Sequence, residues 1–173
     1  VLKGGGLWTL KEYFPNSSIS GLDIDDKCKQ YENKDADVEV FIGDQSNEDL
    51  IEKISEERGP FDIIIDDGGH YIKQQKISFN KLFPLLNENG IYVVEDLHTS
   101  YWPSHGGGIN KDKQTTMGFL KSISDKSTSR WASRCSRAFG DENTESPDYC
   151  DKYVDSVQFN DSICFVLSNL NSL

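Results

Sequence analysis

At 173 residues the chain has the size of one ordinary domain and enough length to bury a core. Its 36% hydrophobic and 27% charged residues favour a globular chain over a disordered one. The net charge of −11 argues against a nucleic-acid groove or an anionic membrane as partner. No apolar run approaches the length of a membrane span, and no charged segment followed by an apolar one marks a secretion signal, so a cytoplasmic protein is expected. Cys28, Cys135, Cys150 and Cys164 lack metal-ligand spacing and read as free thiols, with a Cys135–Cys150 bridge as the alternative. The chain opens at Val1 and immediately enters Lys-Gly-Gly-Gly. A glycine loop ordinarily follows a strand, and none precedes this one, so the expectation is a fragment or an incomplete gene product.

Gly4, Gly5 and Gly6 precede a helix with Leu7, Leu10 and Phe14 on one face, stopped by Pro15. Glycines before a helix let a ligand approach the backbone. Residues 19–24 read as a strand ending in Asp23, Asp25 and Asp26. Val38, Val40 and Ile42 alternate along a second strand, which ends at Gly43-Asp44-Gln45. Ser46 is placed to cap the next helix, whose narrow apolar face is Leu50, Ile51 and Ile54, and Arg58-Gly59-Pro60 stops it. Residues 61–65 are nearly all apolar, as expected of a strand covered on both faces. A helix after His70 carries Ile72, Phe79, Leu82, Phe83 and Leu86 on one side and is ended or kinked by Pro84. Residues 87–90 form a turn before a strand over 91–94.

Helix and strand alternate throughout, which predicts a doubly wound α/β sheet in one domain spanning 1–173. Residues 102–114 read as a loop over the strand ends, and 117–123 as a helix. Residues 126–151 are polar without clear period, a mobile lid or a surface insertion. Residues 154–159 and 163–167 flank Asn160-Asp161-Ser162 and predict a C-terminal antiparallel hairpin.

The chemistry concentrates between residues 61 and 101. Asp66 and Asp67 end one strand; Glu95 and Asp96 end the other. A βαβ unit makes such strands parallel neighbours, about 4.8 Å apart. Four carboxylates then meet at the carboxyl edge of the sheet, where open α/β sheets bind ligands. Oxygen donors without thiolates select hard cations: Mg²⁺, Ca²⁺ or Mn²⁺. The expected ligands are Asp67, Glu95 and Asp96, with Asp66 turned to the other side of the strand end. A single Asp more often caps a helix, but two acid pairs on neighbouring strands favour an ion. His70, three residues past Asp67, is the candidate general base. His98 follows the acid pair and could line the same crevice; Tyr101 and Trp102 could stack on a substrate ring. Asp23 is placed to accept from ribose hydroxyls and Asp44 from an exocyclic amine, which with the glycine loop suggests an adenosine-containing cofactor.

Gly-Gly-Gly-Leu-Trp with Tyr13-Phe14-Pro15, then Gly21-Leu22-Asp23-Ile24 and Gly43-Asp44-Gln45-Ser46, resembles the Rossmann-like class of S-adenosylmethionine-dependent methyltransferases. Asp66-Asp67-Gly68-Gly69-His70 and the run from Glu95 to Trp102 are similar to the metal-dependent sugar O-methyltransferases of macrolide pathways, the macrocin and mycinamicin type. The resemblance implies Mg²⁺ on Asp67, Glu95 and Asp96, and His70 as base. It puts Gly5 and Gly6 beside the methionine part of S-adenosylmethionine, Asp23 on its ribose and Asp44 near adenine, with Asp66 counted among the cofactor-binding residues. The implied acceptor is a hydroxyl of a sugar or glycosylated small molecule, and a homo-oligomer is left open. The departures are the family's first strand with its Glu-x-Gly motif, expected before Val1, and Gly69 where Ser is frequent. The competing readings are a non-catalytic methyltransferase-like remnant that serves as a binding module, and a metal-dependent hydrolase using the same acids.

Overall fold

A computed structural model describes residues 1–111, 114–139 and 153–169. They fall into two compact units, Val1–Arg58 and Gly59–Leu173.

The first unit opens with helix α1 (Gly5–Tyr13). Gly4 stands before it at φ 71°, a left-handed conformation that glycine adopts without steric cost. Strands β1 (Ile19–Asp23) and β2 (Val38–Ile42) pair in parallel, Ile19 opposite Val38 and Asp23 opposite Ile42. Two short 3-10 turns, Asp26–Tyr31 and Lys34–Ala36, connect them. Leu7, Ile19, Cys28, Val38 and Val40 form this unit's core. Helix α2 (Glu48–Arg58) buries Ile51 and Ile54. Its first turn is capped by Asn47, whose side chain accepts from the Leu50 N–H at 3.2 Å; Ser46 instead donates to Asp44. Arg58 ends α2 and ties it to the strands, with ion pairs to Asp37 at 2.8 Å and Glu39 at 3.7 Å.

The second unit is a four-stranded sheet in the order β3-β4-β6-β5, formed by β3 (Phe61–Asp66), β4 (Leu86–Val94), β5 (Val154–Asn160) and β6 (Ile163–Ser168). β3 and β4 are parallel, and β6 runs antiparallel to both β4 and β5, so the C-terminal hairpin is present as expected. Helices α3 (Ile72–Leu82) and α4 (Thr116–Phe139) supply Phe79, Leu120 and Ile123 to a core with Tyr92, Val94, Val154, Cys164 and Val166. Phe79 stacks on Phe83 at 4.9 Å and meets Tyr92 edge-on at 5.0 Å. Both helices thus serve one core. Ile63 and Ile65, which alternate with Ile64, are 43% and 42% exposed.

Two boundaries differ from the sequence reading. The Asn87–Gly90 turn lies inside β4, because Leu86 already pairs with Phe61 before the register shifts to Ile63 opposite Ile91. Helix α4 continues through Phe139, well past 123, so the first half of the polar 126–151 segment is helical; the rest, with Cys150, lies outside the described residues. Cys28 and Cys164 are buried free thiols, and burial pushes Cys164 up to about 12. Among the described residues no helix is long and apolar enough to cross a membrane.

Candidate functional site

In the second unit the parallel pairing of β3 with β4 sets Asp66 opposite Val94, and the Glu95 N–H donates to the Asp66 carbonyl at 3.0 Å. Both acid pairs therefore leave the sheet at the same edge. Asp66 points inward: it is 6% exposed and its Oδ2 accepts from the Tyr92 hydroxyl at 3.4 Å. Asp67 points outward and is largely exposed.

His70 reaches back over this edge. Its Nε2 lies 3.4 Å from Asp96 Oδ2 and 3.9 Å from Asp67 Oδ1. One donor atom from each of Asp67, His70 and Asp96 falls within 4.8 Å of the others. This is a grouping that one ion can span, and its donors are two carboxylates and an imidazole with no thiolate. Glu95, the third predicted carboxylate ligand, stands outside that grouping but feels it. Its carboxyl is raised above the ordinary glutamate range, first by burial and then by the charges of Asp67 and Asp96, against a smaller lowering from His70. Acids that repel one another at the end of a sheet fit a hard divalent cation, which would offset that repulsion.

Two of these residues carry unusual backbones. His70 has φ 56° and Asp96 φ 53°, in the left-handed region that non-glycine residues rarely adopt. Asp96 needs that conformation because it is the turn from β4 into the 3-10 segment Leu97–Tyr101. Several contacts hold this corner that no local sequence pattern announces. Gln75 of α3, almost fully buried, donates its amide to the Glu95 carbonyl at 3.1 Å. The Thr99 hydroxyl lies 2.7 Å from the Asp96 carbonyl and 3.2 Å from that of His70. Ser162, in the β5–β6 turn, accepts the Leu97 N–H on its carbonyl at 2.9 Å, and its hydroxyl lies 2.7 Å from His98 Nδ1.

His98 therefore belongs to the corner, 3.8 Å from Asp96 Oδ1. Beyond it runs a chain of rings: Trp102 edge-on to His98 at 4.7 Å, His105 at 5.5 Å from Trp102, and Tyr71 stacked on His105 at 4.8 Å. Tyr71, Tyr101 and Trp102 are exposed.

The predicted cofactor residues Gly5, Gly6, Asp23 and Asp44 lie in the first unit. The parallel register brings Asp23 and Gly43-Asp44 to one end of β1 and β2, where the Gly43 N–H donates to the Asp23 carbonyl at 2.8 Å. Burial acts to raise the Asp23 carboxyl, and the Asp25 N–H and the Cys28 thiol act to lower it. Asp23 is thus an anion at neutral pH and an acceptor. Asp44 Oδ1 accepts from both the N–H and the hydroxyl of Ser46 at 2.7 Å, which fixes the turn after β2. Gly5 and Gly6 have open space where a β-carbon would project, so a ligand can lie against their backbone.

No protein-family model matches the chain. Curated relatives match almost all of it. It is 34% identical over 171 residues to demethylmacrocin O-methyltransferase of Streptomyces fradiae, covering 98% of this chain and 41% of that protein. It is 35% identical over 170 residues to mycinamicin VI 2''-O-methyltransferase of Micromonospora griseorubida, covering 97% and 40%. A tetracenomycin-C 2'-O-methyltransferase of Streptomyces olivaceus is 37% identical, covering 98% and 42%. Among solved structures, the MycE methyltransferase of the mycinamycin biosynthetic pathway, in complex with Mg, SAH and mycinamycin VI, superposes with a TM-score of 0.84 at 33% identity, over 98% of this chain and 41% of that one. The chain therefore spans about two-fifths of the length of the relatives it matches. Over that span its fold is the Rossmann-like one of S-adenosylmethionine-dependent methyltransferases, and its sequence is similar to the sugar O-methyltransferases of the macrocin and mycinamicin type.

Proposed function

We propose that this chain forms the catalytic part of a metal- and S-adenosylmethionine-dependent O-methyltransferase whose acceptor is a hydroxyl of a sugar on a glycosylated small molecule. The observation that carries the reading is the convergence of Asp67, His70 and Asp96, with Glu95 beside them, at the paired ends of β3 and β4. Similarity to a methyltransferase solved with Mg, SAH and a glycosylated macrolide supports it.

In this reading the 173 residues act as one cytoplasmic methyltransferase-like domain. Asp67, Glu95 and Asp96 would hold Mg²⁺, or Ca²⁺ or Mn²⁺ in its place. A bound divalent ion would supply Lewis acidity that lowers the pKa of the acceptor hydroxyl. Gly5 and Gly6 admit the methionine part of the cofactor, Asp23 accepts from its ribose and Asp44 stands near adenine. Asp66, buried against Tyr92, contributes to cofactor binding by fixing the end of β3.

The chemical step asks two things of the protein. A sugar hydroxyl rarely ionises at neutral pH, so a base must take its proton as the oxygen attacks the sulfonium methyl. His70 Nε2 is the atom that faces the carboxylates, and it accepts that proton. The other demand is alignment of acceptor oxygen and methyl group, where positioning supplies much of the acceleration. The exposed rings of Tyr71, Tyr101 and Trp102 beside the acids offer apolar faces to the acceptor.

The test is methyl transfer from labelled S-adenosylmethionine to a glycosylated macrolide acceptor. Asp67→Ala is expected to abolish transfer while leaving the melting temperature near that of the wild type. Transfer retained by that variant would remove the metal assignment. A wild-type protein that binds the cofactor but transfers to no hydroxyl acceptor would point to a binding module instead.

A further inference from the structure

The candidate base and one candidate ligand, His70 and Asp96, both sit in left-handed backbone conformations, and they come from different loops. His70 follows β3; Asp96 follows β4. Their side chains approach to 3.4 Å with both backbones in these conformations. Neither residue is a glycine, so each would relax toward the ordinary regions unless its surroundings prevented it.

Thr99 joins them. Its side chain is buried, with the residue 2% exposed, and its single hydroxyl lies between two carbonyls, Asp96 at 2.7 Å and His70 at 3.2 Å. The first contact spans three positions and is what threonine makes in any tight helical turn. The second spans 29 positions and is not local. It links the loop after β3 to the turn after β4, at the two residues whose side chains approach to 3.4 Å. Gln75 makes the companion contact one residue before Asp96, on the Glu95 carbonyl. The backbone behind the acidic edge is thus contacted at the carbonyls of His70, Glu95 and Asp96, and the single Thr99 O–H is shared between two of the three.

We infer that Thr99 is a positioning residue: by bridging the carbonyls of His70 and Asp96 it sets the geometry in which the divalent ion is bound. The inference rests on the reading of Asp67, Glu95 and Asp96 as the ion's ligands. Groups behind the ligands typically change metal affinity by about 10–100-fold when removed. Gln75 still holds Glu95 when Thr99 is lost, so the expected effect is at the low end of that range.

The experiment is a Mn²⁺ titration followed by electron paramagnetic resonance on wild type, Thr99→Val, Thr99→Ser and Asp67→Ala, with circular dichroism melting of each. Valine keeps the shape and removes the hydroxyl; serine keeps the hydroxyl and removes the methyl. Thr99→Val is expected to bind Mn²⁺ about tenfold more weakly, and Thr99→Ser within about twofold of wild type. A hydroxyl that served stability alone would lower the melting temperature and leave the affinity of the folded protein unchanged. Thr99→Val binding as wild type, while Asp67→Ala does not bind, would overturn this inference alone. Thr99→Ser as weak as Thr99→Val would overturn it too, because packing of the methyl would then be the cause. A wild type that takes up no Mn²⁺ would overturn the ion site and the brace together. Should the valine variant melt below the assay temperature, Thr99→Ala compared with Thr99→Ser separates the same outcomes.

Discussion

Tyr92→Phe isolates one bond beneath the acidic edge. Tyr92 is fully buried, its ring meets Phe79 at 5.0 Å, and its hydroxyl donates to Asp66 Oδ2 at 3.4 Å. Phenylalanine preserves the ring and its packing, so the change removes only the hydroxyl. Hydrogen bonds to charged groups contribute about 1.5–3 kcal/mol, but this one is long, which places the expected loss at about 1–2 kcal/mol. For a chain of this size that corresponds to a fall of about 2–8 °C in melting temperature. Urea unfolding followed by circular dichroism measures it. The difference also depends on pH, and its sign follows from the phenol. Burial first, and then the Asp66 charge, raise the Tyr92 pKa well above its ordinary value near 10. The hydroxyl's contribution is therefore complete below pH about 10. It is lost as pH rises further, because the unfolded phenol ionises first and the folded one resists. The stability gap between wild type and Tyr92→Phe should close above pH about 10. Equal stability of the two proteins at pH 7, or a gap that widens in alkali, would be incompatible with this bond and its burial.

His70→Ala is expected to lower the methyl-transfer rate by about 10²–10⁴-fold, the usual range for a general base, while Mg²⁺ affinity changes little; an equal loss of affinity in calorimetry would make His70 a ligand rather than a base. Glu95→Gln is expected to stabilise the metal-free protein. The folded Glu95 carboxyl is raised, by burial first and then by Asp67 and Asp96, so its ionisation penalises the fold as pH rises above the unfolded value near 4.3. Differential scanning calorimetry at pH 7 without metal should therefore find the variant melting above wild type, and added Mg²⁺ should narrow that gap.

Strand positions were legible because their signals are local. The alternation at Val38, Val40 and Ile42 marked β2, and the turn Asn160-Asp161-Ser162 marked the hairpin. The acid pairs at two strand ends were legible for the same reason, since parallel pairing of a βαβ unit brings such ends together. The brace behind them was not. Thr99 reaches His70, Gln75 reaches Glu95 and Ser162 reaches His98 across 29, 20 and 64 positions, and no periodicity encodes such contacts. One clue was present: Gln75 falls on the stripe of α3 shared with Phe79, where an apolar residue is expected, and a polar side chain there needs a polar partner. The length of α4 was missed because a polar helix lacks the apolar period by which helices are recognised. The inward turn of Asp66 depends on its pairing with Tyr92, which is visible only once β3 and β4 lie side by side.

The proposed chemistry stands on the ion's ligand set, and a crystal soaked in Mn²⁺ reads that set through the metal's anomalous scattering. The expected map holds a single strong peak at the ends of β3 and β4, within about 2.0–2.6 Å of carboxylate oxygens of Asp67, Glu95 and Asp96, with His70 Nε2 outside that distance and facing the acceptor. A peak ligated by His70 in place of Glu95, or no peak at this edge, would contradict it.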